Sequence, residues 1–332
     1  MGHLRRPGQA SIIYLNRPAF HRAVEVGTRG KLELWAFPTG TLFGMLFGLL
    51  VPSFGPPTRQ YIVWLLVPLM VFSLVRIKRE EVREGLQRLD LLAAGLVFIY
   101  IIVPLVMWGS GLAARLSPDL LFGVTLAALS PAIALAPFFS DMIGGNRVLA
   151  AMISLVSTLL SPLLIPLMLV ALVGRTVDVP VGTIASTAGA LVGLPVLIAL
   201  VLRKARPSIW DNPIPGERIA TSVIFFFFMW GVIAASLGGI NPLSVSLLLG
   251  LALLQEYVFF FGLRWAFGRL AKRGILSVGN AKALALCIGL KNGALAAGIA
   301  LTFSDTVAIS SGLITLISAP MVVMFGVFRE KV

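Results

Sequence analysis

The chain has 332 residues, 58% of them hydrophobic and 12% charged, with a mean hydropathy of +0.96 and a formal net charge of +13. Soluble domains carry roughly a quarter charged residues, so this composition excludes an ordinary soluble fold and points to a polytopic membrane protein. A single cysteine, Cys287, and two histidines, His3 and His21, exclude an internal disulfide and leave almost no material for zinc, redox or triad chemistry.

Residues 1–32 read as a cytoplasmic tail, too polar and too basic for the apolar region of a signal peptide. Within it, residues 10–24 (ASIIYLNRPAFHRAV) fit either a helix lying on the membrane surface or a solvated segment. Apolar windows bounded by charges, proline and glycine then predict membrane helices near 33–53, 60–77, 91–112, 119–139, 147–172, 181–202, 218–238, 242–263, 281–302 and 306–327, with 261–276 partly helical. Basic residues cluster in the tail, in 76–88, at Arg147, in 203–218, in 264–282 and at Arg329 and Lys331. With an inside N-terminus, all the lysines and arginines except Arg59, Arg115, Arg175 and Lys291 fall on the cytoplasmic side, as the positive-inside rule requires. The charge is therefore a topology signal rather than a nucleic-acid footprint. The expected location is the plasma membrane, the inner membrane of a bacterium, with both termini cytoplasmic.

Ten spans divide into repeats over 33–172 and 181–327, joined outside by 173–180 and followed by a short cytoplasmic end at 328–332. An odd number of spans per repeat gives the two opposite orientations, the plan of many secondary transporters, whose broken helices build the substrate site at mid-depth. The expected fold is thus all-α, ten helices in two inverted repeats, with the fourth and ninth helices broken and crossing. The fourth window carries SPAIALAPFFSD (130–141), where Pro131 and Pro137 each remove an amide donor. The ninth carries GLKNG (289–293).

Lys291 is the base in ALCIGLKNGALAAGIALTF (285–303), a segment without an acid. If that span starts near Ala281, Lys291 lies roughly 15 Å deep in a ~30 Å core, too deep for easy snorkelling. An ionisable group there costs about 2.5–3.5 kcal/mol on insertion scales and marks a functional site by default. Glu256, in LLQEYVFF, is the acid within a predicted span; it either turns toward Lys291 or reaches water at the nearby helix end. Ser130, Ser157, Thr158, Asn292 and Thr302 are further polar candidates, although such residues often serve close packing in membrane helices. Gly289 and Gly293, spaced as GxxxG, suit a helix crossing as well as a pocket wall.

GNRVLAAMISLVSTLLSPLLIP (145–166), GLKNGALAAGIA (289–300), Pro131 and IYIIVP (99–104) together resemble signature stretches of the bile acid:sodium symporter family. The resemblance implies ten helices, two crossing broken helices and alternating access around them. It also implies sodium ligands at positions that here hold Ala136 and Pro137, Ala150 and Ser154, Cys287, Lys291 and Ile99. Sodium needs several hard oxygen donors, and of these side chains Ser154 retains one. Lys291, where the family has a glutamine, brings a positive charge covalently and donates three hydrogen bonds. Together these readings give a candidate site of Lys291, Asn292, Ser154, Ser130, Pro137, Cys287, Gly289, Gly293 and Glu256, with no cofactor and no metal expected.

The leading expectation is a secondary transporter of a small organic anion, sodium-independent, or coupled to protons exchanged at Lys291. A sodium-coupled symporter of the same family, an arsenite-type exporter using Cys287 and a non-transporting receptor are the alternatives. An enzyme is not expected, because no acid/base or metal cluster converges. Substrate identity and oligomeric state are not legible.

Overall fold

The computed structural model describes residues 28–54, 61–75, 77, 79–206, 216–236, 242–313 and 317. The expected surface helix at 10–24 and the chain end at 328–332 lie outside the described residues, while 28–32, expected in the tail, already belong to the first helix. In chain order the helices are α1 (Thr28–Leu50), α2 (Leu66–Leu74), α3 (Arg79–Gly85), α4 (Leu89–Val97), α5 (Val103–Ala113), α6 (Pro118–Leu129) and α7 (Ala136–Met142). They continue with α8 (Arg147–Val173), α9 (Val181–Ala205), α10 (Glu217–Ser236), α11 (Pro242–Leu253), α12 (Phe259–Lys272), α13 (Val278–Gly289) and α14 (Gly293–Leu301). Residues 305–313 are helical as well. Among the described residues there is no strand.

Among the described residues, four helical runs are long and apolar enough to cross a membrane: Arg79–Ala113, Arg147–Val173, Val181–Ala205 and Leu243–Lys272. The chain is a multi-pass membrane protein. Two of these runs contain a π turn, Phe98–Ile102 between α4 and α5 and Leu254–Val258 between α11 and α12. The second of them runs on through 261–272 and ends at Lys272, with 273–276 in a turn, so 261–276 is partly helical as expected and the helix passes well beyond the expected end of its span at 263.

Helix ends follow local chemistry. α6 stops because Ser130 precedes Pro131 and is held extended, at φ −62° and ψ 149°. Asn146, Ser277 and Asn292 each cap the following helix with a side-chain oxygen, accepting from the amides of Leu149, Asn280 and Leu295. Pro162, Pro166 and Pro195 stay inside α8 and α9, as membrane helices tolerate where neighbouring groups satisfy the freed carbonyls.

α8 is the hub, packing against α3, α4, α6, α7, α9 and α13. α1 lies along α10 at very short range: a Cβ on Gly44 would sit 2.3 Å from the Phe226 carbonyl oxygen. α14 touches α2, α6, α9 and α10, and so joins the α8 group to the helices around α10. At the basic ends of α8 and α13, Arg147 pairs with Glu81 at 3.3 Å and Asp141 at 3.5 Å. There Asn146 Nδ2 donates to Asn280 Oδ1 at 2.7 Å, and Lys282 Nζ donates to the Ile143 carbonyl at 2.6 Å.

Candidate functional site

Two non-helical stretches meet inside the protein, 130–135 between α6 and α7 and 290–292 between α13 and α14. Ile133 N donates to the Leu290 carbonyl at 3.0 Å and Asn292 N donates to the Pro131 carbonyl at 2.8 Å, an antiparallel bridge centred on Ala132 and Lys291. Backbone groups released from helices inside a membrane protein need partners, because lipid supplies none. α8 supplies several. Ser157 Oγ accepts from Ala132 N at 3.3 Å and donates to the Ser154 carbonyl at 3.1 Å, and Ser154 Oγ donates to the Ile133 carbonyl at 3.2 Å. From α2, Ser73 Oγ donates to the Ala134 carbonyl at 2.8 Å, and the Tyr100 hydroxyl donates to the Ser157 carbonyl.

Lys291 is 1% exposed, and its ammonium donates to the Ile99 carbonyl at 2.9 Å and to the Ser130 carbonyl at 3.2 Å. Both carbonyls come from irregular backbone. Ile99 belongs to the first π turn, where the change of hydrogen-bond register disturbs the regular i+4 ladder, and Ser130 ends α6. The ammonium therefore sits where a small monovalent cation would find carbonyl oxygens. On the other side of the same residue, Lys291 N donates to Glu256 Oε1 at 3.3 Å. Glu256 is 0% exposed, so it turns toward Lys291 instead of reaching water.

The other candidates take distinct places. Ser130 contributes its carbonyl, because its hydroxyl is spent on the Ala127 carbonyl at 2.7 Å. Asn292 caps α14 through Leu295 N at 3.1 Å. Cys287 is fully buried, with Sγ 3.7 Å from the Ala150 carbonyl. Gly289 is a packing position: a Cβ there would come within 2.9 Å of Phe260 Cα and 3.0 Å of its nitrogen. Pro137 and Ser154 line a small hollow with Ser73, Ala134 and Thr158. Thr302 lies at the far end of α14, its hydroxyl donating to the Ile299 carbonyl at 2.7 Å.

Gly293 and Asn292 line a second cavity of about 80 Å³, together with Leu66, Met70, Thr221 and Phe225. Its walls are mainly apolar, with Lys291, the hydroxyls of Ser73 and Thr221 and the first turn of α14 as polar features. Sequence reasoning passed over Ser73, Tyr100 and Thr221. Ser73 and Tyr100 are hydroxyls inside apolar windows, a signal too common to single out, and the one local sign of the freed Ile99 carbonyl is Pro104, which has no amide to donate to it.

A family model described as the Sodium Bile acid symporter family matches residues 63–241, more than half of the chain and including the first non-helical stretch. No curated protein matches the chain.

Proposed function

The chain belongs to the sodium bile acid symporter family, and from that premise we propose that it is a secondary active transporter of a small organic anion in which the Lys291 ammonium replaces a bound sodium ion. Membership makes it a membrane transporter, embedded in a bilayer and moving a substrate. The sodium-free reading is carried by one observation: the buried ammonium donates to the carbonyls of Ile99 and Ser130 at the two irregular stretches of backbone.

The remaining positions that the resemblance assigns to sodium ligands support the same reading. Ala136, Ala150 and Ile99 bring no side-chain oxygen, Cys287 faces the Ala150 carbonyl, and Ser154 spends its hydroxyl on the Ile133 carbonyl. The hydroxyls of Ser154 and Ser73 donate to carbonyls of the first stretch and that of Ser157 accepts from Ala132 N, so side chains of this chain hold its backbone. Cys287 is sealed and lines neither hollow, which counts against an arsenite-type exporter.

Two inverted repeats are supported by matched elements. Each half has a π turn continued by a helix (α5 or α12), then a helix of 12 residues that follows a serine (α6 after Ser117, α13 after Ser277), then a non-helical stretch and a shorter helix. We read these as broken helices crossing at Ala132 and Lys291, with alternating access about the crossing and the basic helix ends in the cytoplasm.

The size of the cavity favours a small substrate. At about 80 Å³ it is roughly half of the ~150 Å³ that encloses a benzene in an engineered protein cavity. The amides opening α14 favour the anionic end of such a molecule, and Leu66, Met70 and Phe225 its carbon skeleton.

The test is a mass-spectrometric screen of metabolite uptake into cells making the protein or a Lys291→Ala variant, repeated with choline replacing sodium. Uptake of an organic anion that survives the replacement and is lost in the variant is expected. Strict sodium dependence would return the protein to the sodium-coupled class, and ligand-induced stabilisation without flux in proteoliposomes would make it a receptor.

A further inference from the structure

Among the described residues, two charged side chains are buried, Glu256 at 0% and Lys291 at 1% exposure. One is an acid and the other a base, and they are joined through Lys291 N and Glu256 Oε1 at 3.3 Å. The same lysine is thus held at both ends by a π turn: its ammonium by the Ile99 carbonyl of Phe98–Ile102, its main chain by the side chain of Glu256 in Leu254–Val258. A lone ion sealed in this interior costs several kcal/mol, and an opposite charge in the same enclosure offsets much of that.

We propose that Glu256 is the counter-charge of Lys291, so that acid and base form one electrically neutral unit beside the substrate cavity, whose lining includes Lys291. The proposal rests on the reading that Lys291 stands in for a bound cation. It makes Glu256 a positioning residue of this chain: it holds the 290–292 stretch in register and cancels the charge that Lys291 brings.

Mere hydrogen bonding would give Glu256 a different role, and the two are separable. Glutamine keeps an acceptor for Lys291 N while removing the charge. If the acceptor alone mattered, Glu256→Gln would be neutral and would do nothing for a protein that lacks the ammonium. If the charge matters, Lys291→Met leaves the carboxylate without the opposite charge of the ammonium, Glu256→Gln leaves the ammonium without that of the carboxylate, and the double variant removes both charges.

The experiment is a double-variant cycle on the purified full chain in detergent, read as the thermal unfolding midpoint in choline chloride. Each single variant should lower the midpoint by about 5–10 °C, and Lys291→Met/Glu256→Gln should regain most of the Lys291→Met loss. A double variant as low as the two single losses added together would overturn the proposal. Should Lys291→Met yield no folded protein, the monodisperse fraction on size-exclusion chromatography replaces the midpoint: recovery in the double variant supports the pairing, and equal loss overturns it. A Lys291→Met protein as stable as the parent would instead contradict the stand-in reading itself, so the two failures are distinct.

Discussion

Lys291 combines a membrane-buried position with a covalent charge, and its neighbours explain how that charge is tolerated. The ammonium can donate three hydrogen bonds, and two of them go to the Ile99 and Ser130 carbonyls. Truncation to alanine should empty a space shaped for a small ammonium. Adding ethylammonium chloride to Lys291→Ala should therefore raise its unfolding midpoint, while the same salt leaves the parent unchanged; no difference between the two would contradict the cage. Ser157 is the second residue on which the crossing depends. Its hydroxyl accepts from Ala132 N in a fully buried place, so Ser157→Ala strands an amide and should cost about 1–3 kcal/mol, measured by chemical or thermal unfolding. The sequence singles out Lys291 by composition alone, since a cation in an apolar run is conspicuous. Ser130 is legible only as a polar atom in the right stretch; its hydroxyl bonds within its own turn and its carbonyl serves the ammonium.

Helices are where sequence reading succeeds best. Apolar windows ending at charges lie within a few residues of α8, α9 and α10, because the same burial that drives helix formation in a bilayer writes the pattern. Pro131 and the glycines around Lys291 locate the two irregular stretches, for reasons that are purely local: a residue before proline is pushed out of the helical region, and glycine weakens a helix interior. The π turn at Phe98–Ile102 has a local correlate, because Pro104 carries no amide to donate to the Ile99 carbonyl five residues earlier, which is left for Lys291. The turn at Leu254–Val258 has no comparable cause in its composition, and so the presentation of Glu256 stays hidden until the helices are assembled. Gly289 illustrates the same limit. Its GxxxG spacing suggests a crossing, but only the contact with Phe260 backbone shows that α13 and α12 need its missing side chain. Gly289→Ala should force the two helices apart and cost roughly 1–3 kcal/mol, with a lower unfolding midpoint and reduced yield of folded protein as the readout.

At the scale of the whole molecule, the arrangement has an electrical consequence. If, as proposed, a neutral Lys291–Glu256 unit stays in the protein and no metal ion travels, the substrate is the charge that crosses. Uptake of a monoanion into proteoliposomes should then rise when potassium and valinomycin impose an inside-positive potential, and should ignore a sodium gradient. Uptake that disregards the potential but follows an imposed pH gradient would assign proton cotransport instead. Family membership establishes a transporter, while the identity of the coupling ion turns on a handful of atoms at the crossing. Equilibrium binding of radioactive sodium to the purified protein addresses those atoms without needing the substrate. The parent is expected to bind none above background, and Lys291→Ala, with the carbonyls of Ile99 and Ser130 left open, to gain a saturable site. Saturable sodium binding by the parent would show that the ammonium does not take the ion's place.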